Sequence, residues 1–143
     1  MMVGSILPRM SRIVAAGVLV AAFGVGGASV SSARAESGSL IGSWSGNGSI
    51  AFASGSKERA RCRAHFAKTG ASSYAMDATC ATPSAKVDQT ATLYRTGANS
   101  YTGSFFNQQY NTGGRIRITV SGRRQSVRLS GEAGTAFFSL RKL

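Results

Sequence analysis

Residues 58–82 read E-R-A-R-C-R-A-H-F-A-K-T-G-A-S-S-Y-A-M-D-A-T-C-A-T. In the first half Ala60, Cys62, Ala64 and Phe66 alternate with Arg59, Arg61, Arg63 and His65, which is the period-two signature of a half-buried strand. The second half repeats the pattern, with Tyr74, Met76, Ala78 and Cys80 set against Ser73, Ala75, Asp77 and Thr79. Folding the two halves about Gly70-Ala71-Ser72 brings Cys62 opposite Cys80, Ala64 opposite Ala78, Phe66 opposite Met76 and His65 opposite Asp77. Both cysteines then share the apolar face at bridging distance. The expectation is a hairpin stapled by one disulfide.

Outward from the hairpin, the N-terminal segment reads as a leader. Arg9 and Arg12 form a basic start, Ile13 to Val30 is an apolar run rich in Ala, Val and Gly, and Ala33-Arg34-Ala35 is a small-x-small cleavage pattern. The competing reading, an uncleaved membrane anchor, needs ~20 predominantly apolar residues, and this run is short and glycine-rich for that. A cleaved signal peptide over residues 1–35 is therefore expected, followed by a single β domain over residues 36–143, with Glu36 at its start. Two cysteines in an exported chain read as one disulfide in an oxidising compartment, periplasmic or secreted. They lack the C-x-x-C spacing of a redox pair.

The whole chain carries 17 Lys and Arg against 5 Asp and Glu. Loss of Arg9, Arg12 and Arg34 with the leader leaves fourteen cations against five acids, a charge of +9. Such an imbalance favours polyanionic partners.

The rest of the domain continues the short-period pattern. Trp44, Gly46, Gly48, Ile50 and Phe52 alternate with Ser45, Asn47, Ser49 and Ala51 along a first strand over residues 40–53, and Lys86 to Arg95 is a fourth strand with Val87, Gln89, Ala91 and Leu93 inward. A fifth strand carries Tyr101, Gly103 and Phe105 inward, and the polar stretch Asn107 to Gly114 reads as the longest loop. Ile116, Ile118 and Val120 then alternate with Arg115, Arg117 and Thr119. Gly122-Arg123 as a two-residue turn sets Ile118 against Val127, Ile116 against Leu129 and Arg117 against Arg128, although a four-residue loop also keeps the apolar faces together. A last strand over residues 135–141 carries Ala136, Phe138 and Leu140 inward.

Eight short strands with short turns predict an all-β fold: an eight-stranded antiparallel meander forming a small closed or nearly closed barrel, with a β-sandwich as the alternative. Gly42-Ser43-Trp44 resembles the G-x-W opening of lipocalin and avidin-type barrels. The wider set W-S-G-N-G at residues 44–48, E-R-A-R-C-R at 58–63 and C-A-T at 80–82 resembles a family of small exported alphaproteobacterial proteins. That resemblance implies export and a single disulfide, and it transfers no catalytic residue.

Catalysis finds little support. There is one histidine, His65, and its expected partner across the hairpin is Asp77. The closest serine on that face of the hairpin is Ser73, four residues from Asp77 and on the order of 13 Å away along a strand. No set of three or four metal ligands can be assembled from one His and two bridged Cys. No enzyme activity, metal or cofactor is expected.

The arginines are the strongest non-structural feature. Arg59, Arg61 and Arg63 form one outward stripe, and Arg115, Arg117 and Arg128 form a second, four strands away and so a separate patch. The first expectation is that these basic faces engage anionic envelope components such as lipopolysaccharide, anionic lipid or acidic polysaccharide. Export makes nucleic acid a poor partner, and no membrane-spanning segment is expected in the mature chain. The plain alternative is a solvated charged face. A second reading places a small apolar ligand inside the barrel, with Trp44 and Tyr74 as walls, against the alternative of a filled core. A third is inhibition of a secreted hydrolase.

Overall fold

The structure is a computed structural model and describes residues 39–143. The expected signal peptide, its cleavage site and Glu36 lie outside the described residues.

Eight antiparallel strands follow one another in order and close on themselves: β1 (Gly42–Phe52), β2 (Lys57–Lys68), β3 (Ser73–Ala81), β4 (Lys86–Arg95), β5 (Ser100–Asn107), β6 (Thr112–Ser121), β7 (Arg124–Gly131) and β8 (Gly134–Lys142). The barrel is sealed by the β1–β8 ladder, which runs from Trp44↔Lys142 to Phe52↔Gly134. Closure leaves no strand edge unpaired among the described residues, which removes the template for edge-to-edge association.

The stapled hairpin forms in the expected register, with Cys62↔Cys80, Ala64↔Ala78, Phe66↔Met76 and His65↔Asp77 as direct partners. The Cys62–Cys80 disulfide joins Cα atoms 4.1 Å apart, the close spacing of a non-hydrogen-bonded antiparallel pair. Both sulfurs lie inside the barrel. The two-residue turn after β6 also forms: Gly122 has φ 61°, and Ile116↔Leu129, Arg117↔Arg128 and Ile118↔Val127 pair across it.

One expected loop is shorter than its sequence suggests. Instead of a break over residues 107–114, β5 runs to Asn107, β6 begins at Thr112, and the two pair as Asn107↔Thr112. Missing side chains make this possible. A Cβ at Gly114 would strike the Ser130 carbonyl of β7, so only glycine lets the two backbones come this close. The same holds at Gly48 on β1, where a Cβ would meet the Phe137 carbonyl and the Phe138 ring of β8.

The pleat puts apolar residues inside and arginine, serine and threonine outside, as on β2, where Ala60, Cys62, Ala64 and Phe66 are buried and Arg59, Arg61 and Arg63 exposed. A lipid-spanning barrel needs the reverse, an apolar outer band.

The interior is packed unevenly along the barrel axis. At the end that holds the β2–β3, β4–β5 and β6–β7 turns, Trp44, Phe66, Leu93, Tyr101, Ile118 and Val120 are all at most 2% exposed. Leu40 plugs this end: it is 1% exposed, and its carbonyl accepts a hydrogen bond from Trp44 Nε1 at 2.9 Å. Tyr74 and Tyr101 pack edge to face with ring centroids 5.1 Å apart. At the opposite end Ile50, Phe52, Phe105 and Ala136 also point inward but are only half-buried.

Candidate functional site

The uneven packing leaves a cavity of about 640 Å³ at the loosely filled end. Strand alternation aims Ile50 and Phe52 of β1, Val87 and Gln89 of β4, Phe105 and Asn107 of β5, and Leu129, Ala136 and Phe138 of β7 and β8 into it. Its lip is built from three turns, with Thr82, Ser84 and Ala85 after β3, Tyr110 and Asn111 after β5, and Glu132 and Ala133 after β7. Volume and lining fall within the range of small-molecule sites, which are mostly apolar with a few placed polar groups.

The polar groups in this mouth are few. Glu58 opens β2 on the inward phase, as partner of Ile50, and its Oε2 accepts a hydrogen bond from Ser84 Oγ at 2.9 Å. Asn107 is 4% exposed, and its Oδ1 accepts from the Tyr110 backbone N–H at 3.2 Å. That bond fixes the turn carrying the exposed Tyr110 ring over the opening. Gln89 contributes a half-buried amide.

Trp44 and Tyr74 do not line this mouth. They are 0% and 5% exposed and belong to the packed base, so the cavity walls are Phe105, Phe138 and their neighbours instead. Sequence alternation gave both residues an inward direction, which is correct, but not a depth along the axis. Glu58 and Asn107 escape a pattern counted on apolar residues, which skips polar ones on the same phase.

The arginines stand on the outer wall. Arg115, Arg117 and Arg128 converge on a shallow hollow with Phe137, and the Arg128 guanidinium lies 5.2 Å from the Phe137 ring centroid. Arg59 and Arg61 line another hollow beside Asn47 and Ser49. The two sets are four strands apart, as the order requires. However, the row Arg59↔Ser49↔Phe137↔Arg128↔Arg117 joins them across β2, β1, β8, β7 and β6. Ser49 borders both hollows. The two expected patches are thus joined into one band on this side of the barrel, interrupted by the uncharged Ser49 and Phe137. Arg63 lies off this band, in a third hollow with His65, Asp77 and Asp88.

In that third hollow a serine does stand beside the histidine. Ser43 Oγ and His65 Nδ1 are hydrogen-bonded at 3.0 Å because Ser43 is the partner of His65 on β1, and Asp77 is its partner on β3. Reading the hairpin alone could not find Ser43, which comes from the strand on its other side. The row lies on the exposed wall. Ladder bonds on both flanks occupy the backbone of β1, β2 and β3, which limits the N–H groups available to a developing oxyanion.

No protein-family profile matches this sequence, and no curated protein matches it. Solved structures do match the fold. A redesigned β-barrel, mFAP1, superposes with a TM-score of 0.61 at 10% identity, covering 72% of this chain and 94% of that one. Another redesigned β-barrel gives 0.59 at 11% identity, covering 76% and 96%. A de novo designed fluorescence-activating β-barrel gives 0.57 at 9% identity, covering 73% and 94%. At these identities the likeness is one of architecture: an eight-stranded antiparallel meander closed into a small barrel.

Proposed function

We propose that this protein binds a small, largely apolar ligand in the mouth of its barrel. The carrying observation is the contrast between the two ends, a sealed base and a mouth where the inward side chains of Ile50, Phe52, Phe105 and Ala136 remain half-exposed around 640 Å³. Exposed apolar surface held in a concave, preformed site is stabilised by a matching ligand at roughly 25 cal/mol per Å² removed from water, less the cost of association. The mFAP1 barrel was solved bound to DFHBI, which supports the idea that a barrel of this size can hold such a molecule. The buried Cys62–Cys80 bond supports a working place in an oxidising compartment, periplasmic or extracellular.

The test is uptake of the neutral dye Nile red. Its fluorescence should rise saturably with the wild-type protein. Ala136→Phe, which fills the mouth, should abolish the rise, whereas Arg117→Ser on the outer wall should not. No saturable signal, or an unchanged one in Ala136→Phe, would rule the reading out.

A second reading concerns the outer wall. The outward positions of β2 carry Lys57, Arg59, Arg61 and Arg63, those of β6 and β7 carry Arg115, Arg117, Arg124 and Arg128, and no acid shares the outward face of β6, β7, β8, β1 or β2. A one-signed wall of this extent favours adhesion to an anionic envelope surface. Binding to anionic liposomes should weaken steeply with salt and on changing Arg59, Arg61 and Arg63 to Ser. Salt-independent binding would count against it.

A further inference from the structure

Charge is sorted between the wall and the mouth. No Lys or Arg among the described residues lines the cavity, yet two of the four acids among them do, Glu58 and Glu132. The sorting on β2 follows from strand phase. Lys57, Arg59, Arg61 and Arg63 all face outward, and the single acid of that strand falls on the inward phase with the buried Ala60 and Cys62. A one-residue slip would reverse every one of these directions.

Resting on the mouth-binding reading, we propose that the ligand is an apolar molecule bearing a cationic head group, an amine or quaternary ammonium, which sits against the Glu58 carboxylate while its body packs on Phe105 and Phe138. Four observations converge on this class. The body of the site is aromatic and aliphatic. The Glu58 carboxylate is steadied through Oε2 by Ser84 Oγ, and a carboxylate has lone pairs to spare for a donor or a cation. The Asn107 and Gln89 side chains add polar amides to the same lining, and an amide oxygen has lone pairs that a protonated amine can use. No guanidinium or ammonium among the described residues lines the mouth, and its charged side chains, Glu58 and Glu132, carry the same sign as a carboxylate or sulfate head. Glu58 is half-buried, so salt screens the attraction and the repulsion there less than on the open wall.

The basic outer wall makes the test specific, because an anionic amphiphile will collect there regardless of the mouth. Three probes with the same chain are therefore titrated below their micelle concentrations: decyltrimethylammonium, decanol and decanoate. Binding is read residue by residue from backbone amide chemical shifts, with Val87 and Phe105 reporting the mouth and Ser49 and Arg117 the wall. At the mouth amides decyltrimethylammonium should bind about tenfold or more tightly than decanoate, a difference of about 1.4 kcal/mol. Glu58→Gln should lower the affinity for the cation by a similar factor and leave decanol unchanged. Equal or tighter decanoate binding at the mouth, or a cation affinity indifferent to Glu58→Gln, overturns the head-group assignment while decanol binding still upholds the cavity. Failure of all three probes to move the mouth amides overturns both.

Discussion

Arg117 stands directly across from Arg128 on the outer wall of the β6–β7 hairpin, and no acidic residue occurs in either strand. Like charges in this relation are destabilising, and an opposite-charge pair contributes roughly 0.2–1 kcal/mol. Arg117→Glu should therefore raise stability by about 0.5–1 kcal/mol in urea unfolding. Added salt should stabilise the wild type and narrow the gap between the two proteins.

The Cys62–Cys80 bond closes a loop with a sequence separation of 18. The chain-entropy argument assigns such a loop about 3 kcal/mol, a large share of the ~5–15 kcal/mol available to a small domain. The Cys62→Ala, Cys80→Ala double variant should lose about that much, measured as a lower urea midpoint. Its mouth should keep its lining, because the strand pairing of β2 and β3 continues on both sides of the bridge.

Gln125 lies on the inward phase of β7, 3% exposed, and neither Nε2 nor Oε1 has a hydrogen-bond partner among the described residues. Its neighbours across the ladders are Val120 and Leu140. A buried polar group left in this state costs about 1–3 kcal/mol. Gln125→Leu, close in size, should recover a substantial part of that, seen as a higher thermal midpoint. A loss of stability would mean that the amide is satisfied in solution.

Burial pushes the Tyr101 phenol above its ordinary 10.0, and the neighbouring Tyr74 adds to the effect. The folded barrel therefore holds this proton more tightly than the unfolded chain does. The associated stabilisation is complete below pH about 10 and is lost as pH rises through the folded value. Unfolding midpoints measured from pH 9 to 11.5 should fall for the wild type and fall less for Tyr101→Phe.

The legible parts of this molecule were those where strand phase carries the message. Arg59 to Phe66 and Tyr74 to Cys80 alternate cleanly, so hairpin, register and disulfide followed from spacing alone. The β6–β7 register follows from Ile116, Ile118, Val127 and Leu129 given a two-residue turn at Gly122, the choice between that and a four-residue loop being one that apolar phase alone does not make. Period two carries no information about depth. Whether Trp44 ends up at the base or the mouth depends on the stagger of neighbouring strands around the barrel, a property of closure rather than of any one strand. The start of β6 was hidden because Thr112-Gly113-Gly114 has loop composition, and only the approach of β7 makes glycine necessary there. Ser43 met His65 through the β1–β2 register, which depends on a turn over residues 53–56 whose conformation the sequence leaves open.

The seam between the first and last strands carries one more consequence. The backbone N–H of Leu143 donates to the carbonyl of Ser43 at 2.9 Å, so both ends of the described chain meet beneath the plugged base, on the side away from the opening. The barrel is in effect a ring held shut at one non-covalent join. Stitching Leu143 to Leu40 through a few flexible residues and cutting between Gly122 and Arg123 should give a circular permutant with the same outline. A cargo or surface tether fixed at that base would leave the entrance unobstructed.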